Sequence, residues 1–255
     1  MATVMIDAGH GGFDNGASYE GRKEKNDTLN LALAVGNLLE NEGIDVLYTR
    51  TTDEYQSPRE KANIANQSDA AYFISIHRNA STEPNTYSGV QTLVYENSGI
   101  PALFAQNINE ELEMVGFVNL GTEERKNLAV LRGTNMPAAL VEVGFIDTDR
   151  DNQLFDLKFP EMAQGIANGI LETIQGAGVE AEELPQYTIA IGAFSHHDNA
   201  VTLARNLQND SISCYIEPVN NHYQVVHGRF HDIEEAKIKQ KEIYALGYEA
   251  CIISR

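Results

Sequence analysis

Apolar and polar positions follow two rhythms along this chain, and the change between them divides it. Over residues 1–176, the apolar runs TVMID, DVLYT, AYFISIH, GVQTLVY and AALVEVGF alternate with stretches of helical spacing, clearest at Leu29–Glu42, Pro101–Val115 and Phe159–Ile174. Several runs are almost continuously apolar, as strands covered on both faces are, so an α/β sheet with helices on both faces is predicted. After residue 186 the elements shorten: YTIAIGAF, DNAVTLARNLQN, SCYIEPV, YQVVHGRF, DIEEAKIKQKEIYALG and EACIIS spell β-α-β-β-α-β. That order is the split βαβ, or ferredoxin-like, plan. The intervening GAGVEAEELP, Gly176 to Pro185, holds small, acidic and turn-forming residues and reads as a linker. The expected organisation is a domain over 1–176, a linker over 177–185 and a second domain over 186–255.

Charge narrows the functional classes. Of 255 residues, 18 are Lys or Arg and 37 are Asp or Glu, a formal net charge of -19. The first part carries -14 of this and the rest -5. A phosphate backbone or an anionic membrane would repel such a surface, so neither nucleic acid nor membrane is an expected partner. No run approaches the roughly 20 apolar residues of a membrane-spanning helix. MATVMIDAGHGG has neither a basic leader nor a small-residue cleavage site, so no signal peptide is expected and synthesis is placed in the cytoplasm. Cys214 and Cys251 are the only cysteines, too few for a disulfide framework and without CxxC spacing.

Histidine placement points to chemistry. Only His10 and His77 of the seven histidines fall in the first part, each directly after an apolar strand. In open α/β sheets, ligands gather beyond the carboxyl ends of the strands, so residues 67 apart in sequence become candidate neighbours. His10 lies among glycines in AGHGGFDNGA, and His77 in SIHRNA is expected to expose its ring at the strand end. Either one alone is more often a structural histidine. Glu142 interrupts the apolar strand PAALVEVGF, where a buried carboxylate needs a partner such as a metal or a proton. An outward edge position is the other reading. By residues alone RKEKND is a solvated helix start, with Glu20 and Glu24 both at hand.

Six segments in order, MIDAGHGGFDNGA, GRKEKNDTLNLALAVGNLLE, LYTRTTDEY, SPREKANIAN, ISIHRNA and MPAALVEVGFID, resemble zinc-dependent N-acetylmuramoyl-L-alanine amidases of the amidase-3 type. The resemblance runs through essentially all of residues 1–175. It implies His10, Glu24 and His77 as zinc ligands, Glu142 as the catalytic glutamate, and Arg50, Arg59, Asn63 and Asn79 as structural or substrate-positioning residues. Two imidazoles and a carboxylate leave the fourth tetrahedral position to water. The implied reaction is hydrolysis of the amide joining N-acetylmuramic acid to L-alanine in peptidoglycan. A stem-peptide amide, or glycan binding without catalysis, is the alternative. At GFIDTDRD, Asp147 and Thr148 stand where relatives usually carry an Asn, a departure in loop detail.

The last 70 residues resemble a SPOR domain, a peptidoglycan-binding module. Tyr187 to Phe194 and Tyr223 to Phe230 each form an aromatic-led strand ending in Gly-x-Phe, followed by an Ala-bearing helix, with a period of 36 residues. Glycan binding asks for aromatic faces and neutral hydrogen bonders, which Tyr187, Tyr223, His222 and Gln224 offer. His196 and His197 read as loop residues. A 4-1-3-2 strand order would place Cys214 and Cys251 at opposite edges. A wall enzyme without a signal peptide implies action after lysis or release, as a sporulation enzyme of the mother cell or as a phage endolysin.

Overall fold

The computed structural model describes residues 2–176, 187–219, 222–230 and 232–254. The expected linker, Gln186 and His231 lie outside them. The chain forms two compact units, Met1–Phe117 with Thr122–Gly176, and Val118–Gly121 with Ala177–Arg255.

The larger unit contains β1 (Thr3–Ala8), β2 (Ser18–Tyr19), β3 (Arg22–Lys23), α1 (Glu24–Asn41), β4 (Asp45–Tyr48), α2 (Pro58–Asn66), β5 (Tyr72–Asn79), β6 (Val90–Val94) and α3 (Gly99–Val115). After β7 (Asn119–Glu124) come α4 (Ala129–Gly133), β8 (Ala138–Phe145), α5 (Asp149–Leu157) and α6 (Phe159–Gly176). Its sheet runs β6-β8-β5-β1-β4. The strands β4, β1, β5 and β8 are parallel, and β6 pairs antiparallel to β8.

Alternation along the strands sorts their side chains into two cores. Val4, Ile6, Ile74, Ile76, Val141 and Val143 meet Leu31, Val35, Phe104, Ile108, Ile166 and Ile170 on the α1, α3 and α6 side. Met5, Phe73 and Leu140 meet Ala65 of α2 and Val130 and Leu131 of α4 on the other. Helices on both faces are therefore as expected. Asp7, next in line on the α2 side, is fully buried. It accepts hydrogen bonds from Lys61 Nζ, Thr49 Oγ1 and Ser75 Oγ, each at 2.6 Å. Burial raises its carboxyl pKa, but the ammonium and the hydroxyls outweigh this and hold it below the usual value. Lys61 also donates to the Ala8 carbonyl, which fixes the end of β1.

Helices α2, α4 and α5 escaped the apolar pattern. α2 starts with a capping box, in which Ser57 Oγ accepts from Glu60 N and Ser57 N donates to the Glu60 carboxylate, with Pro58 in the first turn. α5 buries only Asp151 and Phe155, too few apolar positions to show a period. Among the described residues no helix is long and apolar enough to cross a membrane.

The smaller unit holds β9 (Tyr187–Phe194), α7 (His197–Asn209), β10 (Tyr215–Val219), β11 (His222–Phe230), α8 (Ile233–Ala245) and β12 (Cys251–Ser254). Its strand order β12-β9-β11-β10 is the expected 4-1-3-2. Cys214 is buried and Cys251 exposed, and both are free thiols. The repeated Gly-x-Phe has a packing cause: a Cβ on Gly192 would lie 2.9 Å from the Phe194 ring, and one on Gly228 2.3 Å from the Phe230 ring. Each phenylalanine folds back over its glycine, and a side chain there would displace it.

Candidate metal centre and active site

β1 and β5 deliver the two histidines to one place. Gly9 N donates to the Ile76 carbonyl at 3.0 Å, which keeps the chain beside β5 as it leaves the sheet. His10 follows in the left-handed region, φ 60°, and its ring meets that of His77 edge-on with centroids 4.9 Å apart. Glycines make the room. A Cβ on Gly9 would lie 2.5 Å from the His77 ring, and one on Gly16, itself at φ 64°, 2.5 Å from Glu24 Oε2. The expectation that the His77 ring is exposed fails for this reason: the Gly9 backbone lies against it and its side chain is only 19% exposed.

Glu24 opens α1, and it is 3% exposed despite its charge-rich neighbours. The loop before it folds back over the helix start, so Glu24 N and Lys25 N donate to the carbonyls of Ala17 and Asn15. Lys25 Nζ reaches the Gly12 carbonyl and Asp53, and buried Arg50 donates to the carbonyls of Ala8, Gly9 and Lys25. Asp27, one turn on, pairs with Arg78 of β5 at 2.7 Å and with Arg22 at 2.6 Å. These contacts pin the start of α1 beside the end of β5.

The Glu24 carboxylate then spans both rings, with Oε2 3.1 Å from His10 Nε2 and Oε1 2.9 Å from His77 Nδ1. The backbone amides of Ala17 and Arg78 donate to Oε2 and Oε1 at 2.9 and 3.0 Å. Burial raises the Glu24 carboxyl, yet the two imidazoles outweigh it and hold it well below the carboxylate range. Burial likewise lowers His10, but Glu24, helped by Asp14, lifts it to about 9, and Glu24 also raises His77. Ligand atoms of His10, Glu24 and His77 lie within 4.8 Å of one another, a group able to hold a metal ion. The nitrogen–carboxylate separations of 3.1 and 2.9 Å, one to each oxygen of Glu24, are close to the ~3.3 Å between neighbouring ligand atoms of a tetrahedral zinc with bonds of about 2.0–2.1 Å.

Glu142 pairs in register with His77 across β5 and β8, so the two side chains leave the same face of the sheet. Its Oε2 is buried and has no hydrogen-bond partner. Burial, opposed by His77 and reinforced by Glu24, raises the carboxyl to about 7.

Comparison with known proteins settles the family. Residues 4–174 match the Amidase_3 family, N-acetylmuramoyl-L-alanine amidase. The chain belongs to this family. A SPOR domain matches residues 185–254 of the amidase. The sporulation-specific N-acetylmuramoyl-L-alanine amidase of Bacillus subtilis is 37% identical over 214 residues, covering 82% of this chain and 81% of that protein. The endolysin of Bacillus phage SPP1 is 34% identical over 178 residues, 67% of this chain and 65% of its own length. The solved N-acetylmuramoyl-L-alanine amidase of Clostridium difficile 630 superposes with a TM-score of 0.64 at 36% identity, covering 68% of this chain and 97% of that structure. This protein is thus an amidase that hydrolyses the bond between N-acetylmuramic acid and L-alanine, and its partner is peptidoglycan.

Other expected site residues of the amidase make their contacts outside the cluster. Asn79 closes β5, where its Oδ1 accepts from Ala80 N and its carbonyl from Ile146 N. Arg59 is exposed in the first turn of α2, whose buried face is Lys61, Ala62 and Ala65. Sequence reasoning missed Asp14. Its Oδ2 lies 2.9 Å from His10 Nδ1 while its Oδ1 accepts from Gly16 N, so the ring is held with Nε2 toward Glu24. The spacing His-x-x-x-Asp in a glycine loop is the signal that was present. In the SPOR unit, Tyr187 and Tyr223 are half-buried. His197 is no loop residue: it opens α7 and packs edge-on against Tyr223 at 4.9 Å.

Proposed function

We propose that His10, Glu24 and His77 hold a zinc ion and that Glu142 is the acid–base residue of the amidase reaction. The register pairing of His77 with Glu142, which aims an unpartnered buried carboxylate oxygen along the face that carries the histidine, supports this most. Bound zinc supplies Lewis acidity, polarising the scissile carbonyl and making water nucleophilic near neutral pH. The chain's own groups do the rest. Glu24, fixed by two backbone amides, sets the spacing of the imidazoles, and Asp14 keeps His10 in one tautomer. Glu142 takes a proton from the attacking water and returns it to the leaving α-amine of L-alanine. A carboxyl poised near 7 can do both at neutral pH. Asn79 and Arg59 position substrate.

The organisation that goes with this reading is a catalytic domain over 1–176, a linker over 177–185 and a wall-binding domain over 186–255, with Tyr187 and Tyr223 among the glycan contacts. Sporulation is the setting we favour over phage lysis. Similarity to the sporulation-specific amidase extends over 214 residues, well past the catalytic match, whereas that to the endolysin covers 178.

The test is Glu142→Gln. It should keep zinc, measured by metal analysis, and stop the release of L-alanine amino termini from purified walls, while His77→Ala should lose the metal. Retained activity in Glu142→Gln would overturn the assignment.

A further inference from the structure

Phe13 of the His10 loop and Tyr55, between β4 and α2, form an aromatic pair that the reaction described above does not use. Phe13, three residues after His10, is 79% exposed, and Tyr55 is 41% exposed. Their rings stack with centroids 4.1 Å apart and planes 31° from parallel. Single exposed apolar residues are ordinary, but two stacked rings left in water at the edge of a site are a surface shaped to receive something flat and apolar.

The pair stands on a rigid base. Gly12, at φ 60°, lies so close under Tyr55 that a Cβ there would come within 2.7 Å of Tyr55 N. Gly12 N donates to Asp53 Oδ1 at 2.8 Å, and Lys25 Nζ bridges the Gly12 carbonyl and Asp53 Oδ2 at 2.6 and 2.7 Å. Lys25 directly follows Glu24, and Phe13 directly precedes the Asp14 that holds His10. The platform and the metal cluster are therefore tied to the same few residues.

Charge chooses the occupant. The side chains of Asp14 and Asp53 are 40% and 52% exposed, and Glu54 is exposed as well. A stem peptide with its carboxylates would meet exposed Glu54 and the exposed carboxylates of Asp14 and Asp53, whose partners His10 and Lys25 are the more buried member of each pair, at 24% and 9% exposed. A pyranose is neutral, and its axial C–H face suits an aromatic surface. We propose that Phe13 and Tyr55 form a sugar subsite, taking a pyranose of the glycan strand next to the muramic acid whose lactyl amide is cut. The proposal rests on the placement of the reaction at His10, Glu24 and His77.

Steady-state kinetics of Phe13→Ala on soluble peptide-bearing glycan chains and on an N-acetylmuramoyl-peptide with no second sugar test it. The KM for the glycan chain should rise about tenfold more than that for the single-sugar substrate, the factor that a loss of about 1.4 kcal/mol gives. Phe13→Trp should restore it. An equal rise on both substrates would place the rings against the peptide or the muramic acid itself, and no rise on either would leave them without a ligand; each overturns the subsite. Loss of bound metal in Phe13→Ala would likewise overturn it, by making the ring a prop for the His10 loop. Failure of the underlying site assignment would show separately, as Glu142→Gln retaining kcat on the single-sugar substrate.

Discussion

Two buried carboxylates in the larger unit, Asp7 and Glu24, meet the same physical demand in different ways. Asp7 is sealed by an ammonium and two hydroxyls. Glu24 is balanced by two imidazoles and two backbone amides. Both side chains are almost wholly out of water, and both stay ionised because their partners outweigh burial. The difference is that an imidazole nitrogen is a metal ligand, whereas an ammonium has three donors and no lone pair to offer a cation. A buried charge becomes a site when its partners are labile, and it becomes scaffold when they are not.

The sharpest way to break this comparison is at Glu142, whose loss removes chemistry without removing ligands. Glu142→Gln should lower kcat about 10³-fold, inside the range of general acid–base catalysis, with metal content unchanged. Next in size is the scaffold. Lys61→Met leaves Asp7 buried with its two hydroxyl partners but no counter-charge, and should cost about 3–5 kcal/mol in denaturant unfolding. Because the Asp7 carboxyl lies below its ordinary 3.8 in the fold, the stability it contributes is complete above that value. It is lost as pH falls through the folded pKa below it. Unfolding of the wild type on acidification below about pH 4 should therefore steepen relative to Lys61→Met.

Asp14→Asn should act only on the labile side, weakening metal affinity about 10–100-fold in a chelator competition while leaving the melting behaviour of the metal-free protein near wild type. The smallest effect is expected from salt. A chain at -19 cannot be held on an anionic wall by bulk charge, so wall binding in a sedimentation assay should not weaken as salt is raised. A marked drop would show that clustered cations carry the targeting.

Much of this was legible in the sequence because burial on both faces writes itself as continuous apolar runs. The five main strands and helices α1, α3 and α6 fall within a few residues of expectation, Glu24 to the start of α1 being the largest extension. The motif His10, Glu24 and His77 was legible only through family resemblance. No local pattern tells that a glutamate in RKEKND is 3% exposed, because its burial is made by the loop at 15–17 and by Arg78 of β5. Distances of 7 and 54 residues along the chain hide such contacts until the loop folds back and the strands pair. The exposure of His77 was misjudged for the same reason, since the neighbour that covers it is Gly9 of a different strand exit. Helix α2 differs: Ser57, Pro58 and Glu60 announce it by capping chemistry rather than by hydrophobic spacing.

The strand order of the SPOR unit bears on how that unit must come together. Neither half of its repeat can build a sheet alone, for β9 never pairs with β10 and β11 never pairs with β12. Among the described residues, every ladder between β9, β10, β11 and β12 joins one half to the other, with Tyr187 opposite Phe230 and Phe194 opposite Tyr223 at the two ends of the central pair. The halves are interleaved like the fingers of two hands, so the sheet is complete only when both are in place. Such a unit is made or lost as a whole, and its two aromatic-led strands share one fate.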